Sequence, residues 1–303
     1  MVIEFKLEKN TLFSYLALGC GVLSLSFSPM YVRWAQAPGT VTGFYRLLFS
    51  TIILAPFFIK RRTAKFKLTW PNILPPILGG ACMAGTFALF NTSLFFTNVA
   101  SASVISNISP LWVSIAAWGL LRESLKPQFW MGLLAVLIGV SLIMGGNIIS
   151  LSHLGIGDIM AIGSSFFYAA YILITQWGRK KLDSLSFVWI NGASSCIWML
   201  FIILILRQPL GGFPQQTWIV YIVAAIFTQI IGYMAISYSL GSLPASVVSP
   251  TLNIQPVVSI ILAIPLLYEV PSLIQVFGSV LILAGVYVIN HAYQQKSTSI
   301  SKI

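Results

Sequence analysis

Hydrophobic residues in this chain come in long runs, and the polar residues collect between the runs rather than alternating within them. Ten apolar segments stand out: residues 12–32, 41–59, 73–96, 102–121, 129–145, 159–177, 185–206, 218–240, 245–268 and 272–292. Each has roughly the 17 to 25 residues a helix needs to cross a hydrocarbon core. Backbone groups in lipid must bond within their own segment or within a closed barrel. The alternation that marks barrel strands is absent, so the pattern predicts helices. Connections are short, and the longest polar stretch away from the ends, "GGNIISLSHLGIGD" at residues 145–158, divides the chain near its middle.

Composition sharpens this picture. With 57% hydrophobic residues, 8% charged residues and a mean hydropathy of +0.90, the chain has too little polar surface to cover a soluble globule. The net charge of +11 raises the question of nucleic acid, but a nucleic-acid-binding protein gathers its cations on one solvated face. Here they sort by connection. Lys6 and Lys9 precede the first segment; Lys60, Arg61, Arg62, Lys65 and Lys67 follow the second; Arg122 and Lys126 follow the fourth; Arg179, Lys180 and Lys181 follow the sixth; Lys296 and Lys302 follow the tenth. Ten crossings put all of these on one side, leaving Arg33, Arg46 and Arg207 toward the other. The positive-inside rule then makes both termini cytoplasmic, and no nucleic-acid partner is expected.

The first segment invites comparison with a signal peptide, because "AQAP" at residues 35–38 contains an A-x-A-like site. The run is longer than a usual signal core and a proline directly after the site disfavours cleavage, so the segment is expected to stay in the mature protein. Cys20, Cys82 and Cys196 lie in separate segments without paired spacing, which indicates neither a disulfide nor a metal site and leaves them as packing residues. No cofactor is expected.

The chain contains a passage written twice. The offset that carries Glu123 onto Glu269 also carries Asn107 onto Asn253, Pro110 onto Pro256, Gly132 onto Gly278 and Gly139 onto Gly285, without a gap. An internal repeat is the better account. Five segments per repeat is an odd number, so the second unit enters the membrane from the opposite side. The lysine and arginine distribution requires the same. The expected fold is an all-α polytopic membrane protein of ten transmembrane helices arranged as two inverted five-helix repeats, residues 12–145 and 157–292. Such pairs surround a central cavity and open it to each side in turn.

The repeated motifs carry a resemblance. "ASASVISNISPLWVSIAAWGLLRE" and "PASVVSPTLNIQPVVSIILAIPLLYE", the arginine of "FYRLLFS", and the glycines of "LIGVSLI" and "LAGVYVI" resemble the ten-helix EamA-type members of the drug/metabolite transporter superfamily. The resemblance runs from Leu12 to Ala292. It implies a secondary carrier for a small metabolite, commonly an amino-acid or metabolite exporter, in a bacterial inner membrane. The family also includes importers and sugar-nucleotide carriers.

Candidate functional residues follow from depth and chemistry. Asn107 and Asn253 each stand three residues before a proline, whose missing N–H frees a carbonyl, so their amides either patch a kink or face a substrate. Asn91, Tyr168, Tyr171, Gln229 and Tyr233 lie mid-segment, where they either bond between helices or line a polar cavity. Arg46 is the one charge within a segment on the outer half, and an unpaired cation at depth costs about 2.5–3.5 kcal/mol. It either clasps a carboxylate at an outer gate or caps a helix. Pro110 and Pro256 bend their helices, and Glu123 and Glu269 at segment ends read as gate or fold-locking groups. Gly132, Gly139, Gly278 and Gly285 form a packing seam, between two helices of one chain or between protomers. The chain is expected as a monomer or homodimer in the bilayer, with a small-molecule substrate.

Two other classes compete. His153 and Asp158 have an H-x-x-x-x-D spacing used by acyltransferases to pair a general base with a carboxylate, but the tract falls on the predicted outer side and occurs once in a chain otherwise organised as a duplicate. A scaffold for other membrane proteins is the third class. No Asp, Glu or His stands at mid-depth, so a proton relay is not expected there.

Overall fold

Helices follow the apolar runs. The structure, a computed structural model, describes residues 11–61, 69–97, 99–144, 155–267 and 270–300. The first run is split into α1 (Thr11–Ser26) and α2 (Ser28–Ala35), with Pro29 in the first turn of α2 and Gln36 at φ 47° ending it. Then come α3 (Gly39–Arg61), α4 (Trp70–Ser93), α5 (Val99–Ser106), α6 (Ser109–Gly119) and α7 (Pro127–Ile143). The second half holds α8 (Ile156–Arg179), α9 (Ser184–Ile205), and a long helix made of α10 (Gln215–Ala224), a π-helical stretch (Ala225–Tyr233) and α11 (Met234–Leu240). It closes with α12 (Ala245–Leu252), α13 (Gln255–Leu267) and α14 (Leu273–Ile300). No strand occurs among the described residues.

Eight helical stretches among the described residues are long and apolar enough to cross a membrane, and α7 is a shorter apolar helix. The remaining expected segment is the broken pair α5–α6. Its break falls at Asn107–Ile108, and the second half breaks at the matching place, Asn253–Ile254, between α12 and α13. Pro110 and Pro256 stand in the first turn after each break. Proline lacks an N–H and its ring clashes with the preceding turn, so a helix restarts there more readily than it runs through.

The distribution of polarity fits a lipid-embedded protein. Large apolar side chains such as Ile52, Phe95, Ile197, Phe201, Leu204, Phe277 and Leu283 are exposed, while Arg46, Gln176, Asn191, Gln229, Asn253 and many serines and threonines are buried. In hydrocarbon the solvent is as apolar as leucine, so polar groups and small residues collect between helices. Serine 194 and Ser195 of α9 donate to the carbonyls of Ile77 and Gly80 on α4, and a Cβ on Gly80 would come 2.6 Å from that of Ser194.

The glycine seam lies within one chain. A Cβ on Gly132 would sit 2.8 Å from the Gly285 carbonyl oxygen, and one on Gly139 2.6 Å from that of Gly278. Numbers rise along α7 as they fall along α14, so the two helices run antiparallel. The repeat offset exchanges one close pair for the other, which is what a pseudo-two-fold axis perpendicular to both helices produces. Near the helix breaks, Asn253 Nδ2 donates to the Asn107 carbonyl at 3.1 Å, so two residues equivalent in the repeat meet each other.

Candidate functional site

A narrow cavity opens between the two halves, well below the helix ends. Leu47 and Ser50 of α3 and Met83 of α4 contribute from the first half; Tyr171 of α8, Val188, Asn191 and Gly192 of α9, and Gln229 and Tyr233 of the π-helical stretch contribute from the second. Its free interior accommodates no more than about one or two water molecules, so the halves have closed on it.

Local sequence explains how these groups come to face inward. The π-helical stretch widens the turn around Gln229, and Thr228 donates its hydroxyl back to the Ala224 carbonyl inside it. Such bulges shift side chains out of α register and gather at functional sites. Tyr168, Tyr171 and Tyr233 form a chain of rings: Tyr168 and Tyr171 are stacked at 6.0 Å, and Tyr171 meets Tyr233 edge-on at 6.1 Å. Asn191, which lines the cavity, donates to the Pro76 carbonyl at 3.2 Å, a bond that ties α9 to the proline-containing part of α4.

Arg46 stands beside this cavity. It is only 5% exposed, its Nη1 donates to Ser28 Oγ at 3.1 Å, and its guanidinium carbon lies 5.4 Å from the centre of the Phe87 ring. It is within electrostatic reach of Tyr233. Two buried atoms here lack a hydrogen-bond partner among the described residues, Arg46 Nε and Gln229 Oε1.

On the side of the molecule that carries Lys60, Arg122, Lys126, Arg179, Lys180 and Lys181, the halves are tied together. Ser246 Oγ of α12 donates to Glu123 Oε2 just beyond α6 at 2.6 Å, and α12 packs against α6. The corresponding pair toward the other side, α5 and α13, packs elsewhere, α5 on α8 and α13 on α1. Glu269, the repeat partner of Glu123, lies outside the described residues, as does His153.

A family model for EamA-like transporters matches residues 12–145 and again residues 155–291. The chain belongs to the EamA-like transporter family. It is 26% identical over 189 residues to the Bacillus subtilis (strain 168) protein "Uncharacterized transporter YyaM", covering 60% of this chain and 61% of that one. It is 23% identical over 281 residues to "Uncharacterized transporter YwfM" of the same organism, covering 88% of this chain and 90% of that one. A crystal structure superposes with a TM-score of 0.78 at 16% identity over 91% of this chain and 96% of its own, a likeness of fold.

Within this EamA-like transporter the residues singled out from sequence divide by place. Tyr171, Gln229 and Tyr233 line the cavity, and Tyr168 backs it through Tyr171. Asn107 donates to the Ser103 carbonyl of its own helix, and Asn253 spends its amide on the opposite helix break. Asn91 donates to the Phe87 carbonyl and packs on Gly39, away from the cavity. Asp158 caps α8 by accepting from the Gly155 N–H and from Thr97. Sequence reading passed over Ser50, Met83, Asn191 and Gly192. Of these only Asn191, a mid-segment amide in residues 185–206, carried a signal that could have marked it.

Proposed function

We propose that this EamA-like transporter is a secondary carrier that moves a small metabolite across a bacterial inner membrane by alternating access. The solute is an amino acid or a similar neutral or zwitterionic molecule, with net export when the cytoplasm holds more of it. The basic side and both termini face the cytoplasm. The observation that carries this reading is the small cavity between the two halves at mid-depth, where Ser50, Asn191 and Gln229 stand among apolar and aromatic side chains and where inverted-repeat carriers place their substrate. Closure around a water-sized space supports a carrier over an open pore. The halves must separate before a solute can enter, and the reciprocal α7–α14 seam supplies a rigid axis about which one half can rock against the other.

Purified protein in liposomes tests this directly. Initial rates of uptake of radiolabelled amino acids and related metabolites are expected to saturate with concentration for at least one solute. Absence of protein-dependent flux for the whole set, with the protein shown to be folded and inserted, would leave the scaffold reading in its place.

A further inference from the structure

A cation buried in a membrane protein demands a partner. Arg46 lies seven residues, roughly 10 Å at 1.5 Å per residue, inside α3 from Gly39, and the surrounding helices offer it no carboxylate. The chain has six acidic residues. Glu4 and Glu8 precede α1; Glu123 lies between α6 and α7; Asp158 is in the first turn of α8; Asp183 precedes α9; Glu269 lies between α13 and α14. Of the described ones, Glu123, Asp158 and Asp183 all stand at or beyond helix ends, and Glu4, Glu8 and Glu269 fall outside the ten apolar segments of the sequence. Arg46 instead has one serine hydroxyl and an aromatic face, both neutral, and its Nε has no partner among the described residues. A desolvated ion is held stably only when a counter-charge and hydrogen bonds replace its water.

The α3 face that carries Arg46 borders the cavity. Arg46 and Ser50 are four residues apart on α3 and so share one helix face, and Ser50 with Leu47 lines the cavity. Tyr233 and Gln229 line the same space from the opposite half, with Tyr233 within electrostatic reach of Arg46. Gln229 Oε1 is a second buried atom without a partner. A planar fork of donors beside the cavity and an unsatisfied amide oxygen on a residue that lines it are chemically complementary ends: the fork matches a carboxylate, and the oxygen, on a wall that also holds Tyr171 and Tyr233, accepts from an ammonium.

We propose that Arg46 is the carboxylate-binding residue of the cavity and that the solute carried is a small molecule bearing a carboxylate. This deepens the carrier reading and rests on it. The anion supplies a counter-charge that the described helices do not, once the halves have separated enough to admit it.

The test compares matched probes on the unmodified protein: leucine, serine and glutamine, each with its primary amide and its deaminated acid. Binding is read from thermal stabilisation in detergent and transport from counterflow in liposomes. At least one carboxylate probe is expected to bind, and its amide to bind roughly 10- to 100-fold more weakly, the loss that follows when a charged acceptor is taken from a buried donor. Arg46→Gln should abolish the discrimination, while Arg46→Lys should retain part of it. Equal response to acids and amides, or chloride dependence of an otherwise carboxylate-independent flux, would overturn the assignment. Flux of solutes without a carboxylate, unchanged in Arg46→Gln, would remove this inference and leave the carrier standing. Stabilisation by carboxylates without any flux would do the reverse.

Discussion

Tyr233 shows what a single side chain contributes. Its ring packs edge-on to Tyr171 and it lines the cavity together with Gln229. Removing its hydroxyl keeps the ring and its packing, so Tyr233→Phe should lower transport by roughly three- to thirtyfold, the factor a single hydrogen bond to a charged or polar solute is worth, with the melting temperature nearly unchanged. Flux measured beside thermal unfolding checks this. Asn253 is expected to behave in the opposite way. Its amide satisfies the Asn107 carbonyl at 3.1 Å, where a helix break has left that group without its own partner. Asn253→Leu should therefore cost about 1–3 kcal/mol of stability, the penalty for a buried carbonyl with no donor, seen as a lowered melting temperature in detergent.

At the scale of helices, the α7–α14 contact is the most demanding. Carbonyl oxygens of Gly278 and Gly285 occupy the space that side chains on Gly139 and Gly132 would need. Backbone atoms cannot swing aside as a flexible side chain does, so Gly139→Val should force the helices apart and abolish the monodisperse folded protein in size-exclusion chromatography. Gly19 in α1 has nothing within 4 Å of its would-be Cβ. Gly19→Ala serves as the control and should be neutral or slightly stabilising, because alanine favours a helix by about 1 kcal/mol over glycine. Small residues also let α4 approach α9, where Gly79 faces the Asn191 amide, and that approach is what brings Asn191 to the cavity wall.

For the whole molecule, sidedness and energy coupling are the open quantities that charge placement addresses. With Cys20, Cys82 and Cys196 replaced by alanine, a cysteine at exposed Gly211 should react with an impermeant maleimide added to intact cells, and one at exposed Lys181 should not. The reverse pattern would invert the orientation. Among the described residues the helix interiors carry no carboxylate or imidazole at mid-depth, and a carrier that moves protons needs a group able to hold one in both facing states. Unlabelled solute inside liposomes should accelerate uptake of labelled solute, whereas a pH gradient imposed with the voltage clamped should change the initial rate little. Uphill accumulation driven by that gradient would point back to Glu123 and Glu269.

Segment positions, the bends at Pro110 and Pro256, and the sorting of lysine and arginine were all legible in the linear chain, because membrane insertion depends on local hydropathy, proline geometry and loop charge. Each of these is a property of consecutive residues. The repeat was legible too, since it is written in matching positions of one string. Which polar residues share a space was not. Asn91 and Asn191 look alike as mid-segment amides, yet Asn91 bonds to its own helix beside Gly39 while Asn191 reaches the cavity wall. Gly132 and Gly139 gave no sign of whether their partners lay in the same chain. Arg46 was visible as a charge at depth, but its burial on a face that borders the cavity, with no counter-charge near it among the described residues, depends on how α3 is rotated against the π-helical stretch. The bilayer rewards any face of a helix that is apolar enough to meet lipid; only the packing of small residues and the pairing of buried polar groups across the two halves select one rotation, and that selection is made between segments far apart in sequence.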